Sequence, residues 1–139
     1  MHLLILNGPN LNLLGERETA IYGTITFDSF LEKLKHRYSN ISIDYQQFNI
    51  EGELIQAIHN ANHLYNGIII NPGAFTHTSI ALRDAIKAID IPVVEVHISQ
   101  VMAREPFRKR SYISAVSKGC IFGFGLNSYQ LAIESFIAD

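Results

Sequence analysis

Short apolar runs alternate with segments of helical periodicity along the chain, and this alternation constrains the fold more than any other feature. The runs occupy residues 3–6, 41–48, 67–70, 92–98 and 119–124. The first, third and fourth are nearly continuous in isoleucine, leucine and valine. That pattern is typical of strands buried on both faces of a parallel sheet.

Apolar side chains recur at helical spacing between these runs. Phe27, Leu31 and Leu34 lie on one stripe, and Thr26 precedes it as a candidate N-cap. Ser79 stands in the same position before a later stripe. Strands that alternate with helices predict a parallel sheet with helices on both faces, joined by right-handed crossovers. Five such strands match an α/β flavodoxin-like fold with strand order 2-1-3-4-5.

Length and composition narrow the class of protein further. A chain of 139 residues has the size of one domain, so we expect a single domain over residues 1–139. The sole cysteine, Cys120, excludes a disulfide framework, and we interpret it as a core residue. A net charge of −2 is too balanced for a nucleic-acid or membrane binder. No membrane span or signal peptide is indicated, so we expect a cytoplasmic protein.

One cluster of positive charge stands out from this balance. Residues 104–110 contain Arg104, Arg108, Lys109 and Arg110 and only one acid, Glu105. A local cationic cluster on an otherwise acidic chain favours a small anionic ligand. A solvated loop is the alternative.

The connection after the first strand is the first candidate for a functional loop. Ligands of an open parallel sheet bind at the carboxyl ends of its strands, near the reversal in strand order. Residues 7–23 form a connection much longer than the usual 2–6 residues, which is typical of a lid or a binding loop. It carries Arg17 and Tyr22, with Gly15 and Gly23 as candidate hinges. A tyrosine that packs on the surface is the alternative for Tyr22.

The third and fourth strands lead into further polar side chains. Residues 71–79 open a helix, where free N–H groups and the helix dipole favour an anion. His77 in this segment is either a ligand-binding residue or an ordinary loop histidine. Glu95 and His97 are two residues apart in a strand, so their side chains share a face. A carboxylate beside an imidazole fixes its tautomer and supports its protonated form. A purely structural pair is the alternative.

No metal site and no covalent lysine chemistry are predicted. His59 and His63 have the spacing of metal ligands on the second helix but lack the glutamate of a zincin motif. We therefore assign both to a solvated helix face. None of the five lysines lies in an apolar strand, which argues against a Schiff-base enzyme.

Three long motifs resemble the type II 3-dehydroquinate dehydratases over essentially the whole chain. The motifs are LNGPNLNLLG at 6–15 with Arg17 and Tyr22, NPGAFTHTS at 71–79, and EVHIS at 95–99. EGELI at 51–55 and the Arg104, Glu105 and Arg108 pattern add to the resemblance. Thr19 departs from it, because the family usually has proline there. Proline restricts the chain, so we expect a looser lid.

The resemblance implies dehydration of 3-dehydroquinate to 3-dehydroshikimate in the shikimate pathway, with no metal or organic cofactor. It implies that Tyr22 is the base that removes the proton alpha to the ketone. Asn10 stabilises the enolate through a water, and Arg17 closes over the site and favours tyrosinate. His97, oriented by Glu95, protonates the leaving hydroxyl.

The resemblance also implies how the substrate is held. Asn71 and the backbone amides of Ile98 and Ser99 bind its carboxylate, and His77 and Arg108 bind its ring hydroxyls. Asp84 reaches the active site of an adjacent subunit in a homododecamer of four trimers. Two alternatives remain open at this point: a non-catalytic module that binds a small anion, and the same reaction in quinate catabolism.

Overall fold

Five parallel strands form one sheet in the computed structural model, which describes residues 1–138. The strands are β1 (His2–Asn7), β2 (Ser42–Gln47), β3 (Gly67–Asn71), β4 (Val93–His97) and β5 (Gly119–Phe122). They pair in the order β2-β1-β3-β4-β5. The predicted flavodoxin-like order is thus confirmed, and the order reverses at β1 and β3.

Helices connect the strands and cover both faces of the sheet. They are α1 (Thr19–Tyr22), α2 (Phe27–Arg37), α3 (Glu51–Ala61), α4 (Ile80–Lys87) and α5 (Asn127–Ile137). Both predicted N-caps are confirmed. Thr26 Oγ1 accepts from Ser29 N at 3.3 Å, and Ser79 Oγ accepts from Leu82 N at 2.9 Å.

The sheet separates two apolar cores, because successive side chains of each strand point to opposite faces. Leu3 and Ile5 of β1 pack with α2 and α5, whereas Leu4 and Leu6 pack with α3 and α4. All residues of β3 and β4 are buried, as their nearly continuous apolar sequence predicted. Each fully buried aliphatic side chain contributes about 1.5–3 kcal/mol relative to an exposed one. These cores hold the central strands, and with them the strand ends, in fixed positions.

Two sequence-based interpretations are wrong. Cys120 is only half-buried rather than a core residue, because β5 is an edge strand whose residues are partly or fully exposed. An apolar run does not reveal whether a second strand covers its outer edge. The helix that carries His59 ends at Ala61, so His63 follows the helix instead of sharing a face with it.

The part of the chain that the structure describes has neither a metal-ligand cluster nor a membrane-spanning helix. Within residues 1–138, no group of three or more His, Cys, Asp or Glu residues is placed to hold a metal ion. No helix of that range has the length and apolar character needed to cross a membrane.

Candidate active site

A cleft lies at the carboxyl ends of β1, β3 and β4, next to the reversal in strand order. Residues from three connections line it: 9–22 after β1, 71–77 at and after the end of β3, and 97–101 with Arg104 and Arg108 at and after the end of β4. The predicted site residues that line the cleft are Asn10, Arg17, Tyr22, Asn71, His77, His97, Ile98, Ser99 and Arg108. Glu95 lies behind His97, and Asp84 does not line this cleft.

Gly8 allows the first two of these connections to lie against each other. Its N–H donates to Asn71 O at 2.8 Å. A Cβ at this position would lie 2.6 Å from Pro72 O, closer than real Cβ contacts come. The glycine therefore sets the distance between the segment that carries Asn10 and the segment that carries Asn71.

Asn10 adopts a left-handed backbone conformation with φ of 70°. Asparagine tolerates this conformation better than most residues. Its N–H donates to Asn49 Oδ1 at 3.0 Å, and Gln47 Nε2 donates to the same oxygen at 3.0 Å. The end of β2 thus fixes the backbone from which Asn10 lines the cleft.

Tyr22 lies at the end of the short helix α1, between two guanidinium groups. Arg104 Nη1 donates to the Tyr22 hydroxyl at 2.8 Å and to Ser99 Oγ at 3.3 Å. Arg17 Cζ is 5.4 Å and Arg104 Cζ 5.6 Å from the centre of the Tyr22 ring, within the range of cation–π attraction. A nearby positive charge favours the ionised form of a phenol.

Arg104 lines the cleft and contacts Tyr22, although no role of its own was predicted for it from the sequence. In the sequence it is only a member of the cationic cluster and of a motif, and the expectation was Arg17 near Tyr22 and Arg108 at the ring hydroxyls. Arg17 does lie beside the ring, whereas Arg108 forms an ion pair with Glu105 at 2.5 Å. The available signal was the position of Arg104 just beyond β4, at the edge of the sheet where ligands bind.

The segment of residues 15–23, here called the lid segment, is bounded by glycines with positive φ. Gly15 has φ of 93° and Gly23 of 83°, a conformation that glycine adopts without strain. Thr19 is the first residue of α1. Proline is favoured at the first position of a helix, so the helical geometry fits the residue that the family usually has there.

Glu95 and His97 form the predicted pair at the end of β4. Glu95 Oε2 and His97 Nε2 are 2.5 Å apart, and the glutamate is fully buried. Because His97 Nε2 contacts Glu95, Nδ1 is the ring nitrogen that does not face this carboxylate. Burial on its own would raise the pKa of Glu95. The hydrogen bond and charge of His97 and the Ser114 and Thr76 hydroxyls outweigh it and lower that pKa to about 2. The carboxylate is therefore ionised at neutral pH.

A buried hydrogen-bond network holds Asn71. Its Nδ2 donates to the Tyr129 hydroxyl at 2.9 Å, and its Oδ1 accepts from Gly73 N at 3.1 Å. The Tyr129 hydroxyl in turn donates to Asn7 Oδ1 at 2.7 Å. Tyr129 is fully buried, and burial raises its pKa far above the ordinary value. Nothing in the sequence pattern singled out Tyr129 for this role.

The remaining predicted residues differ in how they are held. His77 Nδ1 contacts Arg110 O at 2.6 Å, and its ring centre is 6.5 Å from that of His97. Ile98 and Ser99 follow β4 directly and are buried. Asp84 is exposed on α4, away from the cleft of its own chain.

Comparison with known proteins assigns the chain to a family. The family described as "Dehydroquinase class II" matches residues 1–137. A 3-dehydroquinate dehydratase of Exiguobacterium sp. is 53% identical over 138 residues, which cover 99% of this chain and 94% of the relative. A 3-dehydroquinate dehydratase of Aeromonas salmonicida is 50% identical over 137 residues, which cover 97% of this chain and 92% of the relative.

Solved structures show the same similarity. A type II dehydroquinase from Butyrivibrio crossotus has a TM-score of 0.95 at 42% identity, covering 99% of this chain and 97% of that one. A type II dehydroquinase from Propionibacterium acnes has a TM-score of 0.94 at 40% identity, with the same coverage. The resemblance seen in the sequence motifs is confirmed over the full length of the fold. The chain therefore belongs to the class II dehydroquinase family.

Proposed function

We propose that the chain dehydrates 3-dehydroquinate to 3-dehydroshikimate in the shikimate pathway through an enolate intermediate. Family membership supports the reaction. The observation that carries it is the cleft itself, whose lining includes both Tyr22, held by Arg104, and His97, held from behind by Glu95. An elimination of water needs a base and an acid, and these two groups supply them.

Proton abstraction is the first step. Tyr22, as tyrosinate, takes the proton alpha to the ketone, and the C–H electrons move to the ketone oxygen to form an enolate. A free tyrosine has a pKa of about 10, so about one molecule in a thousand is ionised at neutral pH. The Arg104 guanidinium donates to the phenol oxygen and the Arg17 guanidinium lies over the ring, so two cations are placed to attract the phenolate that acts as the base. Closure of the lid segment excludes water and strengthens both attractions.

Stabilisation of the enolate and loss of the hydroxyl follow. Asn10 lines the cleft on its fixed backbone and stabilises the enolate oxygen through a water. The enolate electrons then return to form the ring double bond and break the C–O bond. The departing hydroxyl takes a proton from His97 and leaves as water. Glu95 holds the His97 ring and supports its protonated form.

Substrate binding uses one set of groups for the carboxylate and another for the ring hydroxyls. Asn71 and the Ile98 and Ser99 amides bind the carboxylate at the end of β3 and β4. His77 and Arg108 bind the ring hydroxyls. Asp84 completes the site of an adjacent subunit in a homododecamer of four trimers, which accounts for an exposed carboxylate on α4 that is remote from the cleft of its own chain.

A small-anion binding module and a Schiff-base enzyme would each need a different site, whereas quinate catabolism would use the same one. A module that only binds a small anion requires the cationic cluster but neither Tyr22 nor the Glu95–His97 pair. A Schiff-base enzyme requires a lysine in a protected cleft, and all five lysines are exposed. They are Lys33, Lys35, Lys87, Lys109 and Lys118.

An absorbance assay for the enone product tests the proposal. We expect turnover of 3-dehydroquinate that survives EDTA, and a protein mass that borohydride with substrate leaves unchanged. Binding of 3-dehydroquinate without enone formation would instead identify a binding module. A mass increase after borohydride would identify a lysine adduct.

A further inference from the structure

We infer that Thr76, Ser111 and Ser114 are positioning residues for the proton donor, because their hydroxyls hold the carboxylate that orients His97. The inference rests on the proposed function only in so far as His97 is the acid of that reaction. The hydroxyls do not line the cleft with Tyr22. They act on His97 through Glu95, on the side away from that cleft.

The geometry around Glu95 shows how the carboxylate is held. Ser114 Oγ donates to Glu95 Oε1 at 2.6 Å, and Ser111 Oγ lies 2.9 Å from Oε1 and 3.0 Å from Oε2. Thr76 Oγ1 donates to Oε2, the oxygen that also contacts His97. Each carboxylate oxygen thus has hydroxyl donors, and Glu95 is fully buried. A buried charge requires such compensation.

The backbone of its own loop fixes the direction of the Ser111 hydroxyl. Its oxygen accepts from Ile113 N and from Ser114 N, both at 3.0 Å. A serine hydroxyl has two acceptor positions and one proton. With the acceptor positions used by the loop, the proton is directed at the carboxylate of Glu95, 2.9–3.0 Å away, with Thr76 Oγ1 at 3.1 Å as the other acceptor in reach. The loop before β5 is therefore folded around this hydrogen bond.

The donors come from two segments that are far apart in the chain. Thr76 belongs to the short helix Gly73–His77 that follows β3, whereas Ser111 and Ser114 lie between Pro106–Lys109 and β5. Hydroxyls from two separate connections thus converge on one carboxylate, so its position depends on the packing of both connections.

Removal of a hydroxyl changes the balance between the carboxylate and the imidazole. Hydrogen bonds to a carboxylate stabilise its charge and reduce its attraction for a proton. With fewer donors, Glu95 attracts the His97 ring proton more strongly, and His97 releases that proton at higher pH. The native hydroxyls therefore share the charge of Glu95 with the imidazole.

Other titratable or charged groups also face the pair and must be kept unchanged in a test. Burial, together with the charge of Glu95, raises the pKa of Cys120 on β5 to about 11, so this thiol is neutral at neutral pH. The others are His77, whose ring stacks on that of His97, and three cations that line the cavity next to Glu95: Arg108, Lys109 and Arg110.

Two variants and one control test the inference in the full-length protein. Ser114→Ala and Thr76→Val each remove one hydroxyl, from different segments. Ser117→Ala is the matched control, because the Ser117 hydroxyl donates to Ile113 O at 2.9 Å in the same loop. Two readouts are the kcat–pH profile and the NMR titration of the His97 ring without substrate, with thermal melting to verify folding.

We expect Ser114→Ala and Thr76→Val to move the midpoint of the His97 ring titration upward by about 0.5–1 pH unit, the size of one hydrogen bond to a charged group. The basic limb of the kcat profile should move in the same direction, since the acid must be protonated. Ser114→Thr keeps a hydroxyl at this position and should retain the wild-type titration midpoint and kcat profile. Ser117→Ala should change neither.

An unchanged ring titration in both variants would overturn the inference, even if activity falls. A His97 titration in Ser114→Thr that is shifted as far as in Ser114→Ala would also overturn it. The NMR readout needs no substrate, so it is separate from the proposed function. Wild-type protein that fails to dehydrate 3-dehydroquinate would refute the function and leave the titration result intact.

Discussion

The Arg104 guanidinium donates a hydrogen bond to the Tyr22 hydroxyl at 2.8 Å, although 82 residues separate the two in the chain. The contact forms because the connections after β1 and β4 meet at the same edge of the parallel sheet. It gives the proposed base a fixed positive charge before any substrate binds. The side chain of Arg104 is only 12% exposed, so solvent screens this charge less than it would a surface cation.

Loss of the Arg104 charge should impair Tyr22 as a base. We expect Arg104→Ala to lower kcat by at least about tenfold and to move the acidic limb of the kcat profile to higher pH, since the ionised phenol loses its partner. Arg104→Lys should recover part of the rate, because it keeps the charge without the fork geometry. Arg37→Ala is the control, as Arg37 lies over the Tyr38 ring at 5.9 Å outside the cleft. An unmoved acidic limb in Arg104→Ala would refute this role.

The Glu95–His97 pair should behave as an acid and its positioning group. General acid catalysis contributes about 10²–10⁴-fold, so His97→Ala should reduce kcat by that factor. Glu95→Gln should cost less, because it keeps the shape of the side chain and removes its charge. If Glu95→Gln reduces stability and leaves kcat intact, the pair is structural.

Glu95 should also make folding stability depend on pH. Its pKa is about 2 in the folded chain against 4.5 for an ordinary glutamate. The folded value is the lower one, so the stabilisation is complete above pH 4.5 and is lost as pH falls toward 2. The shift corresponds to about 3 kcal/mol of unfolding free energy. The free energy of unfolding measured in urea should fall by about 3 kcal/mol more for the wild type than for Glu95→Gln between about pH 6 and pH 2. Parallel curves would contradict this.

The buried Tyr129 hydroxyl should support both folding and substrate binding. Tyr129→Phe removes the partner of Asn7 Oδ1 and of Asn71 Nδ2, and an unsatisfied buried polar group costs about 1–3 kcal/mol. Since Asn71 also loses its orientation, KM should rise more than kcat falls. Tyr38→Phe removes a hydroxyl that contacts the exposed Glu134 instead, so it should leave KM unchanged. A Tyr129→Phe variant with wild-type KM would show that the network serves folding alone.

The sequence predicted those features of the fold and the site that depend on residue spacing along the chain. The strand order, the caps at Thr26 and Ser79, and the shared face of Glu95 and His97 follow from periodicity and spacing. The contact between Arg104 and Tyr22 does not, because it depends on how two distant connections meet. The hydroxyls around Glu95 were also missed, since Thr76 and Ser111 resemble ordinary loop residues in the sequence. Cys120 was assigned wrongly because an edge strand and a central strand can both be apolar.

The central claim is that Tyr22 takes the alpha proton, and steady-state kinetics of Tyr22→Phe with 3-dehydroquinate test it most directly. Phenylalanine keeps the ring between Arg17 and Arg104 and removes only the hydroxyl. We expect kcat to fall by orders of magnitude while KM changes little, in a protein with wild-type thermal stability. A variant that retains more than about a tenth of wild-type kcat, a loss under roughly 1.4 kcal/mol of transition-state stabilisation, would show that another group is the base.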